Sequence, residues 1–162
     1  MEEQVNHPQH YNQHPAGIEC IDIIRHYTCD IANAIKYLWR AGLKKDYSQS
    51  DCDKEIEDLK KAMWYIMDYK KNCVRFSLLL DKEEVDTVVY EVTGHHGEQI
   101  FNCYPKSICI ALSQLLGVGI IFQGEVRHVV DWRDNLTIAY NSIQERVGNL
   151  ESRVVSLDFK NA

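Results

Sequence analysis

The chain has 162 residues, of which 45% are hydrophobic, and this is enough apolar material for one domain with a packed core. Its formal net charge of −6 argues against broad binding to extended DNA, RNA or acidic membranes, because such binding depends on many contacts between cations and phosphates. No apolar run approaches the roughly 18 residues of a membrane span and the acidic start lacks signal-peptide features, so we expect a cytoplasmic protein that does not associate with membranes.

Residues 1–16 are predicted to form an extended N-terminal arm. Pro8 and Pro15 lie there among polar residues, and no helical period is present. The arm also carries His10 and Tyr11, an imidazole and a phenol that would contact a ligand if the arm lay across another surface as a lid. A disordered terminus is the alternative interpretation.

Three helices are predicted to follow and to form a small bundle. The first begins near Gly17, and one side of it is predicted to carry Ile18, Ile21 and either Ile24 or Arg25. The second is predicted to begin at an N-cap, Asp30, and to stop at Gly42. The third follows Asp51, with acidic residues in its first turns and two lysines at its end, as the helix dipole favours.

The second helix is predicted to have two faces of opposite character. Its apolar side consists of Ile31, Ala34, Ile35, Leu38 and Ala41. The opposite side presents an amide, a phenol, a guanidinium and an ammonium at helical spacing, on Asn33, Tyr37, Arg40 and Lys44. On the third helix, Asp58, Lys61 and Tyr65 repeat this polar spacing beside the stripe of Ile56, Leu59, Met63 and Ile66. Such a surface can hold a phosphate, although a solvated helix face is the ordinary interpretation of the pattern.

The second half of the chain alternates between short strands and helices. Strands are predicted in VRFSLLL, at residues 100–104 and in VGIIF, and helices after Asp81, from Pro105 to Leu116 and from Asp134 to Val155. Near-heptad spacing in the last helix suits packing on a partner chain or on its own domain. We therefore predict a mainly α fold: an arm (1–16), a small N-terminal helical bundle (17–73) and an α+β C-terminal extension (74–162) with a candidate role in oligomerisation.

Metal and covalent chemistry have little support in the sequence. The six cysteines form no C-x-x-C pair and are interpreted as mostly buried small hydrophobic residues. The histidine groups, His7 with His10 and His14, and His95 with His96, lie in an arm and a turn without metal-ligand spacing. The chain also lacks G-x-x-x-x-G-K-[ST], G-x-G-x-x-G, G-x-S-x-G and H-E-x-x-H motifs. We predict no metal ligand, no catalytic residue and no cofactor.

Four segments in order, NHPQHY, GIECIDII, NAIKYLWRAGLKK and EIEDLKKAMWYI, resemble a widespread bacteriophage domain family. This family was long labelled as of unknown function and is also called nucleotide kinase-like. The resemblance covers about residues 5–70. The positions that match its pattern are His10, Tyr11, Ile18, Glu19, Asn33, Lys36, Tyr37, Arg40, Ala41, Gly42, Lys44, Asp58, Leu59, Lys61, Ala62 and Tyr65. Residues 74–162 lie outside it.

The resemblance implies nucleotide binding, without a P-loop, by a small homo-oligomeric phage protein in the cytoplasm of an infected bacterium. One function that it leaves open is sequestration of a phosphorylated nucleotide, for example a cyclic di- or oligonucleotide immune signal. The alternative is a nucleoside-monophosphate kinase, in which Asp58 or Asp22 would hold Mg²⁺. A third possibility is an adaptor that binds a host protein through the C-terminal helix.

The expected contacts follow from side-chain chemistry. Phosphate would be bound by Arg40, Lys36 and Lys44, since arginine can grip phosphate through two hydrogen bonds. A base would stack on Tyr11, Tyr37 or Trp39 and would be hydrogen-bonded at its edge by Asn33 and His10. The predicted ligand-binding residues are His10, Tyr11, Asn33, Lys36, Tyr37, Arg40, Lys44, Lys61 and Tyr65.

Overall fold

The computed structural model describes residues 8–73 and 78–162. Its helices are α1 (Gln9–Asn12), α2 (Cys20–Ile24), α3 (Cys29–Arg40), α4 (Asp51–Asn72), α5 (Lys82–Thr93), α6 (Gly97–Phe101), α7 (Lys106–Leu115) and α8 (Trp132–Asn161). Its strands are β1 (Leu78–Leu80), β2 (Ile120–Phe122) and β3 (Glu125–Val129). The predicted fold class, mainly α with some β structure in the second half, is confirmed. In the described residues, none of the helices has the length and apolar composition needed to cross a membrane.

The three strands form one small sheet in the order β1-β3-β2. β1 runs parallel to β3, with Leu79 opposite His128, and β2 runs antiparallel to β3. A two-residue turn joins β2 to β3, and both of its residues, Gln123 (φ 52°) and Gly124 (φ 76°), are left-handed. This conformation matches the natural twist of a hairpin and explains why the turn is so short.

Helices from both halves of the chain share one core. α3 packs against α4 and α7, and α8 packs along both α4 and α7. Side chains with 1% exposure or less come from all four of these helices: Ile31, Ile35, Leu38, Leu59, Ile66, Ile108, Leu112, Leu115, Leu136, Ile143 and Leu150. The heptad stripe of α8 is therefore buried within its own chain as far as Leu150, whereas assembly with a partner chain stays a prediction.

The N-terminal segment differs from the predicted extended arm. Residues Gln9–Asn12 form one helical turn, and residues 1–7, with His7, lie outside the described residues. The following helix begins at Cys20 rather than near Gly17, because Glu19 is extended (φ −88°, ψ 140°). This later start places Ile23 in the core and leaves Ile21 half exposed.

The predicted N-cap of α3 was also wrong. Thr28, not Asp30, has the extended backbone of the N-cap, and Asp30 lies in the first helical turn. The main-chain N–H of Thr28 donates to the carbonyl of Gly119 (2.9 Å), so the start of the helix contacts the second half of the chain. At the other end Gly42 adopts φ 79° directly after the helix, and its predicted role as the helix stop is confirmed.

Three further predictions concern the second half and the cysteines. Residues 100–104 do not form a strand, because Gly97–Phe101 is helical and the carboxylate of Asp86 accepts a hydrogen bond from the N–H of Gly97 (2.7 Å). VRFSLLL overlaps a strand only at β1, since residues 74–77 lie outside the described residues. The cysteines are not mostly buried: all six are free thiols, and only Cys20 is fully buried. The predicted helices after Asp81, after Pro105 and in the last segment are confirmed.

Candidate functional site

A buried ion-pair network lies where α3 meets α4. Arg40 is 7% exposed and donates from Nε (3.2 Å) and Nη2 (2.9 Å) to Oδ1 of Asp58, which is completely buried. Lys54, one helical turn before Asp58, donates from Nζ to the same oxygen (3.2 Å). Pairing offsets the cost of removing these charges from water.

The N-terminal segment covers this network. Arg40 Nη1 donates to the hydroxyl of Tyr11 (3.0 Å), and the indole N–H of Trp39 donates to the main-chain oxygen of Tyr11 (3.1 Å). His14 stacks on Trp39 and binds the carbonyl of Ile100 through Nε2 (2.8 Å). Because Nδ1 of His14 accepts from the N–H of Ala16, Nε2 carries the proton and is the donor. The segment is thus held against α3 at two points.

Tyr37 organises a second group of cations on the same side of the bundle. Its ring lies 4.8 Å from Lys36 Nζ, 4.6 Å from Arg40 Cζ and 5.6 Å from Lys61 Nζ. Tyr65 stacks on it with a centroid distance of 5.9 Å and an interplanar angle of 15°. Attraction between cations and the ring quadrupole helps to hold like charges together here. We call Lys36, Arg40, Lys44, Lys54 and Lys61 the cation cluster.

Two carboxylates neutralise part of the cation cluster. Glu57 accepts from Lys61 (2.6 Å) and Lys54 (3.0 Å), and hydrogen bonds from Gln49, Lys61 and Lys54 lower its pKa to about 2. Asp58 is the second carboxylate. Among the described residues, neither Lys36 nor Lys44 forms an ion pair. The cluster therefore retains excess positive charge.

The electrostatics at Lys44 and His10 reflect this excess. Burial, and then the charges of Arg40 and Lys54, lower the pKa of Lys44. The pKa of His10 is lowered by burial first and by Lys44 and Arg40 next. His10 is therefore neutral near pH 7 and offers one hydrogen-bond donor and one acceptor.

A cleft of about 1040 Å³ opens beside the cation cluster. One wall is the N-terminal segment, with Gln9, His10 and Gln13, and the other is the loop between α3 and α4, with Leu43, Lys44 and Tyr47. This volume slightly exceeds the usual range for small-molecule sites, which is roughly 300–1,000 Å³.

The structure brings most of the sequence-predicted residues together at this cleft and cluster. His10 and Lys44 line the cleft, and six others are linked by contacts in or around the cation cluster: Tyr11, Lys36, Tyr37, Arg40, Lys61 and Tyr65. The amide of Asn33 is instead bound to its own helix, where it donates to the main-chain oxygen of Cys29 (2.9 Å). Trp39 is 1% exposed, so the suggestion that a base stacks on it was wrong.

Some residues of the site were missed from the sequence. Lys54, Glu57 and Tyr47 are not among the residues predicted from the sequence. The spacing of Lys54 and Asp58, four residues apart, was an available signal for an ion pair, but it carried no information about burial. Within residues 8–73 and 78–162, no group of three or more His, Cys, Asp or Glu side chains is arranged to hold a metal ion.

Comparison with known proteins defines one segment of the chain. Residues 5–67 match the model of a family described as a protein of unknown function (DUF3310). No curated protein and no solved structure matches the chain. The family description names neither a nucleotide nor a phage, so those parts of the resemblance stay predictions. The matched residues include the cleft, the cation cluster and the Arg40–Asp58 pair. The chain carries a DUF3310 domain at residues 5–67.

Proposed function

We propose that this protein binds a phosphorylated nucleotide and sequesters it unchanged, with a cyclic di- or oligonucleotide signal as the leading candidate. The observation that carries the proposal is the cation cluster beside the cleft. Five cations meet two carboxylates there, in a chain whose net charge is −6. A local excess of positive charge in an acidic protein favours one anion over general binding to polyanions.

A bound phosphate would relieve repulsion within the cluster. Lys44 lines the cleft and has no carboxylate partner among the described residues, and its lowered pKa reflects burial near Arg40 and Lys54. An anion beside Lys44 would stabilise the protonated amine and would gain charge-assisted hydrogen bonds. Arg40 already binds Asp58 and Tyr11. Its proposed role is therefore to contribute positive charge to the electrostatic field of the site and to position Tyr11.

The size of the cleft and the resemblance to the phage family favour a nucleotide over a bare phosphate. A volume of about 1040 Å³ leaves room for a sugar and a base beyond the phosphate. The imidazole of His10, which lines the cleft, can hydrogen-bond the edge of a base. The same resemblance extends the proposal to a homo-oligomeric phage protein that acts in the cytoplasm of an infected bacterium.

The kinase alternative has no specific support in the site. Asp58, one of the two suggested Mg²⁺ ligands, is completely buried and its Oδ1 accepts hydrogen bonds from Arg40 and Lys54. Asp22, the other, pairs with Arg25 at the surface (3.1 Å). Phosphoryl transfer is therefore tested in the binding experiment, in which it would appear as recovery of a chemically changed nucleotide.

The experiment is calorimetric titration with a panel of cyclic dinucleotides, cyclic trinucleotides, nucleoside monophosphates and ATP, followed by denaturation and chromatography of the released ligand. We expect at least one member to bind and to be recovered intact, with at least tenfold weaker binding for Lys44→Ala. Lys106→Ala is the matched control, because Lys106 is an exposed lysine on another helix. Binding of no member, or recovery of a chemically changed nucleotide, would reject sequestration.

A further inference from the structure

The loop between α3 and α4 is held by polar contacts on both sides of Tyr47. Oδ1 of Asp46 accepts from the main-chain N–H (2.9 Å) and the hydroxyl (2.7 Å) of Ser48, and its Oδ2 accepts from the amide of Gln49 (3.0 Å). Lys45 forms an ion pair with Asp51 at the start of α4 (2.7 Å). These contacts define the backbone around Tyr47.

Gln49 connects this loop to the cation cluster. Its amide also donates to Glu57 (2.8 Å), the carboxylate that binds Lys54 and Lys61. Through Gln49, the loop is therefore hydrogen-bonded to Glu57, the carboxylate that neutralises part of the cation cluster.

The side chain of Tyr47, in contrast, has no packing partner. Its relative exposure is 103%, the highest of any large hydrophobic side chain in the described residues, although it lines the cleft with His10 and Lys44. An aromatic ring that is exposed to water beside a cleft can bury much of its apolar surface when a flat ligand enters. Of the other rings nearby, Tyr37 is already covered by Tyr65 and by cations, and His10 packs on Tyr11 (4.2 Å).

We infer that Tyr47 stacks on the base of a nucleotide whose phosphate is bound at Lys44. This inference rests on the proposed function and names the residue that distinguishes a nucleotide from other phosphorylated compounds. Stacking tolerates any base, since every base has a π-face, so Tyr47 selects for the presence of a base. A sugar phosphate would be bound by the cations alone.

The test compares two probes that differ only in the base, adenosine 5′-monophosphate and ribose 5-phosphate, by calorimetric titration at low ionic strength. We expect wild-type protein to bind the nucleotide more tightly than the sugar phosphate. Tyr47→Ala should weaken nucleotide binding by about fivefold to 150-fold, which corresponds to the range known for base–aromatic stacking, and change sugar-phosphate binding by less than about twofold. Tyr47→Phe should keep wild-type affinity for both.

Two further measurements separate stacking from a general effect on the loop. Adenine H2 and H8 should shift upfield in proton NMR spectra on binding to wild type and to Tyr47→Phe, and should not do so on binding to Tyr47→Leu. Tyr90→Ala, which removes an exposed tyrosine on α5, is the control and should leave both affinities unchanged.

The outcomes distinguish the inference from the proposed function. If wild type binds the nucleotide and Tyr47→Ala binds it equally well, or loses both probes equally, the role of Tyr47 is rejected while nucleotide binding stands. If wild type binds neither this nucleotide nor any member of the larger panel, both are rejected.

Discussion

Arg40 and Asp58 are joined through a single oxygen: Nε and Nη2 of the arginine both donate to Oδ1 of the aspartate, at 3.2 and 2.9 Å. The other oxygen, Oδ2, is buried and has no hydrogen-bond partner among the described residues. Lys54 also binds Oδ1, so two cations share one carboxylate. The charges of Arg40 and Asp58 both act on His10 and Lys44, which line the cleft, so the pair contributes to the electrostatic field of the site.

Removal of Asp58 is expected to be strongly destabilising. Asp58→Ala leaves Arg40 and Lys54 buried without their shared counter-charge, and we expect the free energy of unfolding to fall by about 3–5 kcal/mol in urea titrations. Asp22→Ala is the matched control, because its pair with Arg25 is half exposed and should contribute less than about 1 kcal/mol. Similar losses in the two variants would show that the Arg40–Asp58 pair contributes no more than a surface pair.

Ligand affinity is expected to increase as the pH falls. The pKa of His10 is lowered from 6.5 in the free protein, by burial and by Lys44 and Arg40. A bound anion adds negative charge beside the imidazole and raises this pKa, so binding is coupled to proton uptake. With a cyclic dinucleotide, whose phosphodiester charge is constant in this range, we expect affinity to rise about two- to tenfold between pH 7.5 and 5.5. The dependence should be absent in His10→Asn, and an unchanged slope in that variant would exclude His10 as its source.

Gly119 is predicted to tolerate replacement by alanine less well than Gly124. It adopts φ 65°, and a Cβ atom there would lie 2.5 Å from Oγ1 of Thr28 and 3.0 Å from the hydroxyl of Tyr69. Gly119→Ala should therefore lower the free energy of unfolding by more than about 3 kcal/mol, through overpacking and backbone strain together. Gly124→Ala separates the two causes: φ is 76° there too, but no atom lies within 4 Å of the added Cβ, and only about 1 kcal/mol should be lost. Equal losses would mean that the steric contacts are unimportant.

Acid is expected to destabilise the protein through His128. This residue is completely buried, and its Nδ1 accepts from the N–H of Gly119 (2.9 Å), so an added proton would displace that bond. Burial, and then the charge of Arg133, lower its pKa to about 4. Because the unfolded chain takes up a proton near pH 6.5 and the folded chain does not, stability should fall as the pH decreases from 6.5 to 4, by up to about 3 kcal/mol.

The measurement for His128 is urea unfolding at several pH values, together with NMR titration of the imidazole. His128→Gln should unfold more easily at pH 7 and should lose much of the pH dependence between 6.5 and 4. A wild-type His128 resonance that titrates near pH 6.5 would contradict the explanation.

Periodicity in the sequence was sufficient to predict the elements whose structure is determined by neighbouring residues. The apolar side of α3 was predicted because helical spacing defines a face, and its end was predicted because Gly42 can adopt a positive φ. The first turn of α3 was misplaced, since the N–H of its N-cap residue Thr28 bonds to the carbonyl of Gly119, which lies in the other half of the sequence. Local sequence carries no information about that acceptor.

The candidate site was predictable to a similar degree. Side-chain chemistry indicated the cations and tyrosines that the structure places together, whereas their partners were not evident. Asp58 appears in the sequence as an ordinary acid on a helix flank, and its complete burial follows only from the position of Arg40 on the facing helix. Tyr47 was missed for the opposite reason, because hydrophobic patterns predict which rings are buried and give no sign of one that is held in solvent.

Three hydrogen bonds from the DUF3310 segment end on main-chain oxygens of the second half of the chain. His14 Nε2 binds the carbonyl of Ile100 (2.8 Å), Tyr27 donates its hydroxyl to the carbonyl of Leu116 (2.7 Å), and Thr28 donates its N–H to Gly119. Main-chain oxygens are present whatever side chain a residue carries. The side chains of Ile100 and Leu116 take no part in these bonds, so what the three contacts require of the second half is that its backbone keeps its path at residues 100, 116 and 119.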